Sequence, residues 1–163
     1  MKFEYSPLGA ESYEIRLLNL EPSPDQDAPL KLRIHSISLN PAGDYTCLSY
    51  VWGQPEPTSL IRLNEQQFEV RENLFATLLR IRFPDKPRRL WIDAICINQD
   101  DTQERENQVA IMRHIYHAAT DVIPGLGKTM VRGTSEGSLF WSRSKSGADT
   151  LNTPRGWWKP MPT

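Results

Sequence analysis

Leu90-Trp91-Ile92-Asp93-Ala94-Ile95-Cys96-Ile97-Asn98-Gln99-Asp100-Asp101 is the stretch on which the fold turns. From Leu90 to Ile97 it is apolar on both faces except at Asp93, the pattern of a central strand covered on two sides. A polar turn follows at 98–102. Asp101 with Glu104 three positions later has the form of a capping box opening a helix. On that helix Val109, Met112, Ile115, Tyr116 and Ala119 share one face, whereas Glu104, Arg105, Gln108 and Arg113 lie elsewhere. Asp121-Val122-Ile123 then begins another strand, so the order strand, helix, strand predicts a parallel crossover.

Upstream, Tyr13–Leu20 and Leu30–Ile37 alternate apolar and polar residues for most of their length and predict an amino-terminal β-hairpin, closed by the exposed proline-rich and acidic loop 21–29. A strand over Tyr45–Gly53 opens into a loop. A second hairpin spans 61–64 and 67–70, and a helix from Glu72 to Ile81 must stop before Pro84 and Pro87. The expected fold is α/β, a mixed sheet with flanking helices.

The 163 residues are 39% apolar and 24% charged, the make-up of one soluble domain. No apolar run is long enough to span a bilayer and Met1–Tyr5 lacks the character of a secretory signal, so a cytoplasmic protein is expected. Cys47 and Cys96 have no C-x-x-C partner and read as reduced, packed thiols. A net charge of −1 argues against nucleic acid as a partner. That near-neutrality is a cancellation. Residues 1–124 carry 13 Lys or Arg against 18 Asp or Glu, whereas 125–163 carry six against two, with six of the nine glycines. The expected division is a domain at 1–124 and a basic, Gly/Ser/Thr-rich, disordered tail at 125–163.

Several motifs compete for function. Gly125-Leu126-Gly127-Lys128-Thr129 ends like a phosphate-binding loop, but Val122 stands where the first glycine belongs. His114 and His117, three apart on the long helix, could face one metal ion, yet no third ligand lies near them in sequence, and no metal site is assigned. Asp93 is costly inside an apolar strand unless it is paired or lies at the carboxyl end, where open α/β sheets bind ligands. Either Glu104 caps the helix while Arg105 pairs with Asp93 or Asp101, or these side chains line a cleft. Tyr50, Trp52 and Trp91, near strand ends, are core or cleft wall.

Tyr45–Gly53, then Leu90–Asp101 with Glu104-Arg105, Gln108-Val109, Met112, Ile115-Tyr116 and Ala119, together resemble the fungal heterokaryon incompatibility (HET) domain over about residues 11–123, including Ile15-Arg16-Leu17-Leu18. The resemblance implies a role in non-self recognition and regulated cell death, through self-association or docking to other incompatibility proteins. It also implies a core like that of Toll/interleukin-1 receptor (TIR) domains, some of which cleave NAD with a glutamate. In that version NAD is a substrate and no other cofactor is expected, Glu104 is the catalytic acid, and Asp93, Asn98, Gln99, Arg105, Gln108, Tyr50 and Trp52 line the pocket. Glu104→Ala is then expected to abolish NAD loss and toxicity together while leaving the fold intact. The family pattern continues after Ile123 with a V-W-L-G strand, where this sequence has Pro124-Gly125-Leu126-Gly127. Missing carboxyl-terminal strands, or a misread intron, are the corresponding expectations.

Overall fold

In a computed structural model of the chain, residues 3–9, 13–39, 43–50 and 54–124 are described. They form a mixed seven-stranded sheet with helices packed on it. Strands β1 (Glu14–Leu20) and β2 (Lys31–Ser38) make the amino-terminal antiparallel hairpin, with Leu18 opposite Ile34. Next come β3 (Thr46–Ser49), β4 (Thr58–Leu63), β5 (Gln66–Arg71), α1 (Glu72–Ile81) and β6 (Arg88–Trp91). A single turn α2 (Asp93–Cys96), the long α3 (Thr102–Ala118) and β7 (Asp121–Pro124) complete it. Across the sheet the order is β5-β4-β2-β1-β6-β3-β7.

The β4–β5 hairpin turns through Asn64 and Glu65, both at positive φ (48° and 65°), which gives a two-residue loop whose twist matches that of its strands. Helix α1 buries Leu74 and Leu78 and ends at Ile81 because Arg82 is already extended ahead of Pro84. The buried Arg82 guanidinium donates to the carbonyls of Asp25, Gln26 and Ala28, pinning the 21–29 loop, most of whose side chains stay exposed.

The apolar run after Trp91 does not continue as a strand. β6 pairs with β1 through Leu18 and Leu90 and with β3 through Cys47 and Trp91, and there the ladder ends. The backbone instead closes a turn, with Ile95 and Cys96 N–H on the Ile92 carbonyl, while Ile92, Ile95, Cys96 and Ile97 stay buried. A short apolar run is equally compatible with a buried helical turn, which is why periodicity misassigns it. Asp93 therefore sits at the start of a turn beyond the strand.

β6 and β7 both run parallel to β3, which lies between them, so the expected parallel direction holds across one intervening strand. Strand β1 is buried on both faces, with Ile15, Arg16, Leu17, Leu18 and Leu20 at most 2% exposed. Alternation alone predicts a half-buried strand there, but Arg16 is enclosed by Ser6, Cys96 of α2 and Glu104 of α3. The tail at 125–163, the P-loop-like Gly125–Thr129, the expected loss of carboxyl-terminal strands, and Trp52 lie outside the described residues.

Candidate functional site

Most of the expected site residues fall into two groups. The first centres on Arg16, expected only as part of the opening strand and not as a site residue. Its guanidinium grips Glu104 at the start of α3 with both nitrogens, Nη1 to Oε1 at 2.6 Å and Nη2 to Oε2 at 2.8 Å. The same two nitrogens also donate to the Cys96 and Ser6 carbonyls, at 3.0 and 2.6 Å. The ring of Tyr5 lies against the guanidinium, 4.8 Å away, and its hydroxyl donates to the Ile95 carbonyl. Burial pushes that phenol far above its ordinary range.

Glu104 is a hub. Besides Arg16 it accepts the Asn98 N–H at 2.7 Å, so its carboxylate ties the 98–102 turn to β1. The capping box forms in half. Asp101 Oδ1 accepts the Glu104 N–H at 3.0 Å, but the Glu104 carboxylate reaches Asn98 rather than the Asp101 N–H. Asp101→Ala should therefore cost about 1 kcal/mol in urea unfolding, and Asp101→Ser almost nothing, because serine caps as well. The partner of Glu104 is Arg16, contrary to the idea that Glu104 merely caps the helix while Arg105 meets the acids. Arg105 turns to another flank of α3, where it lines a shallow hollow with Glu106, Val109 and Ala110.

Gln108, off the apolar stripe of α3, lies on the same side as Glu104. It is buried, donating its side-chain N–H to the Glu14 carbonyl at 2.9 Å. Between α3 and the segment before β1 runs a groove of about 450 Å³, lined among others by Leu8, Tyr13, Glu14, Asp101, Glu104 and Gln108. That volume is in the range of a small-ligand or side-chain site.

The second group lies at the carboxyl ends of β3 and β6. Asp93 Oδ1 accepts the Ala94 N–H at 2.8 Å, and the Gln99 amide donates to the Asp93 carbonyl at 3.0 Å. Burial and then the Asp93 charge raise the Tyr50 phenol, against the pull of Arg71. Burial dominates at Tyr116 too, with the Asp93 charge adding and a hydrogen bond to Ser49 opposing. Trp91 is fully buried, edge-on to Tyr116 at 5.6 Å. Glu104, Asn98 and Gln108 are thus gathered around Arg16 and the groove, Asp93, Gln99 and Tyr50 around the strand ends, and Arg105 joins neither.

Burial holds both thiols protonated, Cys96 being pushed up to about 12. Among the described residues no three His, Cys, Asp or Glu side chains converge as a metal site, and His114 instead lies edge-on to Tyr13. No helix of the described residues is long and apolar enough to cross a membrane.

Comparison with known proteins bears on what this arrangement serves. The family model for heterokaryon incompatibility proteins (HET) matches residues 45–157, which is more than half of the chain. The chain belongs to the heterokaryon incompatibility family. Heterokaryon incompatibility protein 6, OR allele, of Neurospora crassa is 36% identical to it over 133 residues, covering 74% of this chain. The chain spans only 20% of that relative's length. The family match begins at β3, after the β1–β2 hairpin, and runs on past Pro124. No solved structure matches the chain.

Proposed function

We propose that this domain acts in the cytoplasm in fungal non-self recognition, promoting regulated cell death by docking to an incompatibility partner or to a second copy. The observation that carries the docking mechanism over an enzymatic one is the state of Glu104. A glutamate that attacks, or that draws a proton, needs a free lone pair directed at substrate. Three donors already occupy this carboxylate, two of them from a buried guanidinium, and its side chain is 10% exposed. Such a residue is suited to holding α3 in place.

The TIR-like, NAD-cleaving alternative retains one supporting observation, that Glu104 also lines the groove. Glu104→Ala does not separate the two readings, since it would strand a buried arginine and unfold the domain whatever its activity. Glu104→Gln retains the acceptor for Asn98 and most of the packing. In fungal cells induced to express the full chain, viability is expected to fall with NAD unchanged, both in the wild type and in a folded Glu104→Gln variant. NAD loss that disappears in the folded variant together with the toxicity would establish the enzymatic reading instead.

A further inference from the structure

We infer that the groove between α3 and the segment before β1 receives an arginine side chain presented by a peptide segment of a partner protein. This rests on the docking reading above and gives the partner's surface a chemistry. Among the described residues lining the groove none is a lysine or arginine, whereas three are carboxylates. Arg16 neutralises Glu104, whereas Glu14 and Asp101 have no basic side-chain partner among the described residues. Each of those two accepts one backbone N–H through a single oxygen, from Gly9 and from Glu104 respectively, so each keeps acceptor capacity.

An acidic rim alone would be an ordinary solvated surface. The second observation is Gln108, which lines the same groove, is 4% exposed, and has an Oε1 that finds no donor among the described residues. An acceptor withdrawn from water in this way gains from any donor that reaches it. The group that fits must bring several N–H donors, a positive charge and an apolar stem, and no acceptor. Arginine meets all of these, with a planar fork that stacks on aromatic rings. Tyr13 supplies such a ring at the mouth, 59% exposed, and Leu8, Ala110 and Ile111 provide apolar wall for the stem. Tyr13 is held at φ 48°, an unfavourable backbone for a bulky residue, with its carbonyl accepting the Leu39 N–H.

The test is fluorescence anisotropy of a fluorescein-labelled Gly-Ser-Arg-Ser-Gly peptide titrated with the full chain, with Gly-Ser-Glu-Ser-Gly as comparator. The arginine peptide should bind, more weakly as salt rises, and the glutamate peptide should not. The variant Glu14→Gln with Asp101→Ser keeps the Gly9 acceptor and the helix cap but removes both unmatched charges, and should weaken binding about fivefold to tenfold. Absence of binding, or equal affinity for wild type and double variant, overturns the assignment. Either result leaves the docking reading intact, because that reading is judged on viability and NAD.

Discussion

Arg16→Ala should lower the unfolding free energy by about 3–5 kcal/mol, seen as a large fall in the urea midpoint at constant slope. The reason is what remains. Glu104, 10% exposed in the native domain, would keep a charge met among the described residues by the Asn98 N–H alone, and the carbonyls of Cys96 and Ser6 would each lose a charged donor. Against a typical domain stability of about 5–15 kcal/mol such a loss is severe. Replacing both partners, Arg16→Met with Glu104→Leu, should recover most of it, because a buried pair gains little over apolar side chains of similar volume. A fall of less than about 1 kcal/mol in the single variant would mean that the pair behaves as a solvated surface bridge.

Trp91→Ala should be comparably damaging, at about 3–5 kcal/mol, since it empties a fully buried indole site where β6 meets β1 and β3 and removes the edge-on contact with Tyr116. Trp91→Phe separates volume from polarity. The indole Nε1 is buried and has no acceptor among the described residues, so its loss removes a desolvated donor while phenylalanine keeps an aromatic face. Thermal unfolding should show a much smaller loss for phenylalanine, about 1.5 kcal/mol or less. A phenylalanine variant as unstable as the alanine one would show that the ring's full volume, rather than its aromatic face, sets the cost.

Local signals carried most of the elements. Both hairpins, the end of α1 before Pro84, the Asp101 cap and the β7 strand all follow from period, proline and capping rules that act within a few residues. The family was legible too, because the Tyr45–Gly53 and Leu90–Asp101 stretches are matched within 45–157. What failed was anything that depends on a distant cover. The run Leu90–Ile97 is apolar apart from Asp93, and only the end of its pairing with β1 and β3 makes the second half a turn. Arg16 went unnoticed as a site residue for the same reason. A signal did exist, since Leu17-Leu18 breaks the alternation of β1 and implies two covered faces, which places Arg16 inside and in need of a carboxylate. Finding that carboxylate required the tertiary fold.

The ion pair also has a temporal side, because its two halves are 88 residues apart in sequence. At about 5–20 residues per second, a ribosome needs about 4–18 s to add that length. The β1–β2 hairpin, whose own pairing is local, therefore leaves the exit tunnel well before Glu104 is made, with Arg16 and its neighbours Ile15 and Leu17 bare. Vectorial synthesis thus leaves a nascent segment whose arginine gains its carboxylate only when the start of α3 emerges, a window in which its apolar surface is open to aggregation.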